Sequence, residues 1–318
     1  MTDGVFAKKT FVAMMNPYGT VKRVFPSVID HAGPSCLYLG LKDTNAIDPE
    51  YVRSLERAGI YLHTIDAASL GGRAVDPALI NPLTMRPMTG SSSGSALNVL
   101  YHINDIALGT DGGGSVLAPA ASVNLYGFIS PALDEKRMRT FAKTSTDGIT
   151  FTPSLGFIAR DLAVLKRALA LTFSFKSIEY EIVECPADLD RFGARRPLIS
   201  WLRENVRPGV LLVSHEGPVD LMGTGDSISG SWDESTRLDQ RASMKGLMRV
   251  ANMARLSALS VPSDRLACCT LLISSPDDEG FSAIMSEAEK LACSFNPVAE
   301  RYFSNLDNHF SNGGWQCC

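Results

Sequence analysis

Histidine is scarce in these 318 residues: the five (31, 63, 102, 215 and 309) are scattered, and none falls in an HxxxH or similar ligand spacing. The seven cysteines (36, 185, 268, 269, 293, 317 and 318) are odd in number and form no CxxC pair. That excludes an obvious zinc site or disulfide framework, so no metal and no cofactor are expected, in a reducing cytoplasm. No run of about 18 apolar residues occurs, so no membrane helix is expected. Met1 to Lys9 lacks the charged-then-apolar order of a secretory signal. The closing Cys317–Cys318 pair stands where a lipidation signal would, but no polybasic segment precedes it and lipidation is not expected. Neither sign of charge dominates: 30 basic against 34 acidic residues leave a net charge of −4, with no basic stripe. Nucleic acid is therefore excluded as a main partner.

What is present is an ample apolar fraction, 45%, against 20% charged residues, which rules out global disorder. The length allows one large domain or two modest ones. With no repeat, low-complexity tract or Pro/Gly/Ser-rich linker, a single domain over 1–318 is the expectation. Strand and helix patterns alternate. Residues 35–41 and 60–65 read as buried strands flanking a helix over 49–58, which Gly59 stops. A helical pattern over 96–103 leads to a strand over 105–108, and helices are expected over 161–171 and 281–293 with a buried strand over 267–273. This order implies an α/β fold: an α/β/α sandwich around a mixed, mostly parallel sheet.

Three local features could carry chemistry. Gly112, Gly113 and Gly114 precede Ser115 and leave successive backbone N–H groups uncovered, a nest suited to an oxyanion or a phosphate, or simply a tight turn. No GxxxxGK[ST] or GxGxxG context supports the phosphate. The serine run 91–93 reads equally as a solvated loop, and Lys42 as an ordinary strand-end lysine. Together they supply an acyl-transfer set without imidazole: a buried, neutral lysine as base, one serine to relay a proton and another to attack.

Here the sequence resembles a known family. TGSSSGS (89–95) and LGTDGGGSVLAPAAS (108–122) are similar to the paired serine-glycine motifs of the amidase signature family. GPSCLYLGLKD (33–43), RSLERAGIYL (53–62), GFIARDLAVLKRAL (156–169) and ANMARLSALSVP (251–262) extend the resemblance in order. Core motifs thus fill 33–130, with a reduced C-terminal part over 151–318. The resemblance implies a serine amidohydrolase with a Ser–cis-Ser–Lys triad. Ser115 would be the nucleophile forming an acyl-enzyme, Ser91 the bridging serine after a cis Gly90–Ser91 peptide, and Lys42 the base. Gly112, Gly113, Gly114 and the Ser115 N–H would form the oxyanion hole, and Ser92 and Asp111 would support the loops by hydrogen bonding.

Several positions depart from the family pattern. Thr89 and Ser93 replace glycines, Leu117 stands where an arginine usually follows the nucleophile, and Arg255 and Ser257 interrupt the last motif. The chain also shows little N-terminal helical lead-in. Met88, Thr89 and Trp232 are the expected pocket residues. With the arginine missing, the expected substrate is a small neutral aryl or acyl amide, with side activity on esters. Homodimerisation is the default expectation. The alternatives are a fold-preserving homologue that binds without catalysis, and an ammonia-releasing amidotransferase subunit that needs a partner chain.

Overall fold

The computed structural model describes residues 2–310; the Cys317–Cys318 pair lies outside them. Ten strands form one sheet: β1 (Val21–Val24), β2 (Leu37–Lys42), β3 (Ile60–Asp66), β4 (Ile106–Asp111), β5 (Tyr126–Ser130), β6 (Ser154–Ala159), β7 (Glu181–Glu184), β8 (Val210–Glu216), β9 (Ser257–Pro262) and β10 (Cys269–Ser274). Their order is β1-β3-β2-β4-β6-β5-β9-β10-β8-β7. The sheet is mixed. Parallel pairing joins β2 to β3, β2 to β4, and β7 to β8, and the other six pairings are antiparallel. The expected mostly parallel sheet is corrected: antiparallel pairings outnumber parallel ones six to three, since β6 runs against both its neighbours and β9 and β10 join by a short turn where a crossover helix would give parallel strands.

Seven helices concern the site or the core: α1 (Thr2–Met15), α2 (Pro49–Arg57), α3 (Ser93–Leu100), α4 (Leu117–Ser122), α5 (Leu162–Leu169), α6 (Arg195–Asn205) and α7 (Asp278–Leu291). Strand residues alternate between two apolar cores, Ala107 facing one and Ile106 and Leu108 the other. Helices α3, α4 and α6 pack on the first face, and α2, α5 and α7 on the second. The α/β/α layering expected from the pattern is the one observed.

Two helices are unusual. Every residue of α3 and of α4 is buried, which their small side chains permit. Gly94 shows the tightness: a Cβ there would stand 2.5 Å from the Ala67 carbonyl oxygen. The N-terminal expectation needs correction. Helix α1 spans 14 residues, and its buried Lys9 pairs with Asp105 just before β4. Its apolar residues run around the whole helix, so the sequence shows no apolar stripe to mark it. No described helix is long and apolar enough to cross a membrane.

Candidate active site

Because β2 and β4 run parallel as neighbours, their C-terminal ends lie side by side, where open α/β sheets form their clefts. Lys42 ends β2, and Thr110 and Asp111 end β4. Lys42 Nζ is enclosed within hydrogen-bond reach of three oxygens: Ser91 Oγ at 2.6 Å, Thr110 Oγ1 at 3.1 Å and the Thr110 carbonyl at 3.2 Å. Burial pushes its pKa down to about 7, and Lys143 adds to the fall while Asp111 opposes it. A strand-end lysine is here a buried amine that sheds its proton near neutrality.

Asp111 organises the loop that follows. One carboxylate oxygen accepts the Gly114 N–H at 2.7 Å, and the other accepts those of Val116 at 2.6 Å and Leu117 at 3.2 Å. This corrects the oxyanion set. The Gly114 N–H is committed to Asp111, whereas those of Gly112, Gly113 and Ser115 find no acceptor among the described residues. Ser115 is half-buried and borders a cleft of about 580 Å³ together with Lys42, Ser91, Thr110, Gly112 and Gly113.

Gly90 brings the first serine loop onto the second. Its φ is +70°, a region glycine enters without penalty, and a Cβ there would lie 2.5 Å from Pro119 Cδ. The Ser92 N–H then donates to the Ser115 carbonyl at 3.2 Å. Two expectations change here. The Gly90–Ser91 peptide is trans, the cis bond among the described residues being Gly217–Pro218; the turn is made by the φ of Gly90. Ser92 supports the loop through its backbone, since its buried Oγ has no partner. No hydrogen bond joins Ser91 Oγ to Ser115 Oγ among the described residues.

The residues expected to shape the pocket lie elsewhere. Met88 is fully buried in the first core, and Thr89 is buried with Oγ1 donating to the Ala74 carbonyl at 3.2 Å. Trp232 is 82% exposed and does not border the cleft, although Gly225 to Ile228 of the same stretch do. The apolar wall comes instead from Phe141, Phe151 and Met253. The hairpin of Lys143–Thr144 and Thr150–Phe151 lays the Phe151 ring against Gly112, where any Cβ would collide with it. Leu117 points into the core, so its side chain does not decide the charge of the cleft.

The departures from the motif have local causes. Ser93 donates its hydroxyl to buried Asp76 at 2.5 Å, and Ser257 to Ser130 Oγ at 2.8 Å. Arg255 occupies a left-handed φ of +65°, a conformation that suits glycine.

Comparison with known proteins identifies this arrangement: the Amidase family model matches residues 78–135, which hold both serine loops, β4 and α4. Over this core the chain is similar to the amidase family. A curated relative, Amidase 1 of Arabidopsis thaliana, is 38% identical over 92 residues. That alignment covers 27% of this chain and 20% of the relative, a fifth of its length. Among solved structures, 6-aminohexanoate cyclic dimer hydrolase superposes with a TM-score of 0.63 at 15% identity, covering 96% of each chain. A glutamyl-tRNA(Gln) amidotransferase component from Thermotoga maritima gives the same TM-score and identity, over 95% of this chain and 94% of that one. At such identities these two establish the amidase fold, and the family match rests on the core.

Proposed function

We propose that the chain hydrolyses a small-molecule carboxylic amide through an acyl-enzyme on Ser115. The observation that carries this reading is the enclosed Lys42 amine 2.6 Å from Ser91 Oγ, beside Ser115 in one cleft. A neutral amine has two N–H donors and one lone pair. Directed at the two Thr110 oxygens, the donors leave the lone pair for the Ser91 hydroxyl. Lys42 then takes the Ser91 proton as Ser91 takes that of Ser115, and Ser115 Oγ attacks the amide carbon. The Ser91–Ser115 hydrogen bond forms as substrate binds, since catalytic hydrogen bonds often tighten only in the substrate complex. The N–H groups of Gly112, Gly113 and Ser115 receive the charge developing on the carbonyl oxygen. Ammonia or an amine leaves with the relayed proton. Water then attacks the acyl ester, Lys42 and Ser91 again moving the proton, and Ser115 is regenerated. The same acyl route accommodates ester substrates.

A fluorophosphonate probe tests this directly. It is expected to label the wild type on Ser115 and to leave Ser115→Ala unlabelled, with amide turnover lost in that variant. A folded wild type that is neither labelled nor active would favour binding without turnover, and activity appearing only with a second polypeptide would favour an amidotransferase role.

A further inference from the structure

The cleft is cationic well beyond its base. Besides Lys42 it is bordered by Arg73, Lys143, Arg195, Lys245 and Arg249, against only Asp43 and Asp226. Most of this charge is already answered: Arg73 pairs with Asp226, and Lys245 with Asp220 at 3.1 Å. Two have no ion-pair partner among the described residues: Lys143, which lies over the Phe151 ring, and Arg249, which is fixed by backbone carbonyls. Its Nε donates to the Gly246 carbonyl at 3.2 Å, and one Nη to those of Arg191 and Gly193 at 2.7 and 3.1 Å. That fixes the guanidinium and leaves its Nη1 without a partner. Arg195 turns its Nε and Nη2 to Asp147, and its Nη1 stands 3.5 Å from where a Cβ on Gly113 would be. The unpaired nitrogen of Arg195 therefore flanks the loop that would receive the oxyanion. Burial, and after it the nearby Arg195 guanidinium, push Arg249 down to about 10, which leaves it charged at neutral pH. A second cavity of about 330 Å³ adjoins the first, and Arg195 and Arg249 line both.

Resting on the hydrolase reading above, we propose that the amide substrate carries a carboxylate, bound by Arg195 and Arg249 where the two cavities meet. The two open Nη1 groups, one on each guanidinium, suit the two oxygens of a carboxylate. The missing arginine at 117 then has no bearing on the choice of substrate, because the recognising charge comes from the far half of the chain. This reverses the neutral amide expected from the motif.

The test uses the full chain and two probes of equal length, succinamate with a carboxylate and butyramide without. Wild type is expected to show the higher kcat/KM on succinamate, chiefly through KM. Arg249→Gln is expected to shrink the succinamate:butyramide ratio by about 10- to 100-fold, the worth of a hydrogen bond to a charged group. A merely structural role would lower both substrates together and leave the ratio alone. Because Arg249 also holds three backbone carbonyls, Arg195→Gln serves as the second variant. Calorimetric titration of succinamate and butyramide into Ser115→Ala reads the same site without turnover. It is expected to show tighter binding of succinamate, with the difference lost on adding either arginine substitution. Equal binding of the two probes, or a preference that survives both substitutions in folded protein, overturns the proposal whether or not Ser115 hydrolyses amides.

Discussion

An ammonium enclosed by protein gives up its proton more readily than one in water, and Lys42 has only Asp111 drawing its pKa back up. If Lys42 is the base, kcat/KM rises with pH as the neutral amine forms and levels off above about 7. Lys42→Met is expected to lower turnover by roughly 10²- to 10⁴-fold and to abolish that rise, both read from a pH series on one amide. Read alone, Lys42 and Ser91 are an ordinary strand-end lysine and a loop serine; only their match to the paired family motifs anticipated that they would meet, as they do at 2.6 Å. The role of Gly114 was not anticipated. A glycine nest announces free N–H groups, but which of them stay free is decided by the Asp111 carboxylate reaching back to them. Exposure misled the sequence reading at Trp232, where an aromatic in a glycine-rich stretch reads as a pocket wall and is in fact turned to solvent. Arg195 and Arg249 were missed since they meet only in the folded chain. One signal was available: Arg249 is a lone charge between buried Met248 and Val250.

Among the elements, the turn into β9 carries a cost that the fold does not require. Arg255 holds a φ of +65° just before the strand, and its buried Nη1 has no partner. Its return is an ion pair with Glu135 at 2.7 Å between partly exposed groups, a kind of contact worth about 1 kcal/mol or less. Left-handed backbone costs a non-glycine residue roughly 1–2 kcal/mol. The balance favours Arg255→Gly, which is expected to raise stability by about 1 kcal/mol, measured as a shift in the urea midpoint at constant slope. A lowered midpoint would mean that the ion pair outweighs the backbone. Most elements here were readable from periodicity: the helix expected over 49–58 is found at Pro49–Arg57, and that over 281–293 at Asp278–Leu291. Helix α1 escaped for want of an apolar stripe, and α4 is too short and too uniformly apolar to show a period.

For the molecule as a whole, buried titratable groups set opposing pH dependences. Burial raises Glu216 to about 7, so the folded chain holds a proton that the unfolded chain has released. Stability from that proton is present below about 4.5 and is lost as pH rises through 7. His63 works the other way: burial lowers it to about 4, so its contribution is lost as pH falls from about 6.5 towards 4. Glu216→Gln removes the first effect alone. Its urea midpoint relative to wild type is expected to climb between pH 4.5 and 7 and to stay level above that. A difference independent of pH would show that Glu216 is ionised in the fold throughout.

The sheet also divides its labour along the chain. Lys42, Ser91, Asp111 and Ser115 lie within residues 42–115, on β2, β4, the loop after β4 and the loop before α3, whereas Lys143, Arg195 and Arg249 arrive later from a hairpin and helical segments. On the proposed reading, reaction and selection are written in separate stretches of gene. Such a layout would be evolvable: recombination or drift after residue 140 could retune the proposed choice of amide while leaving the proposed proton path inherited whole.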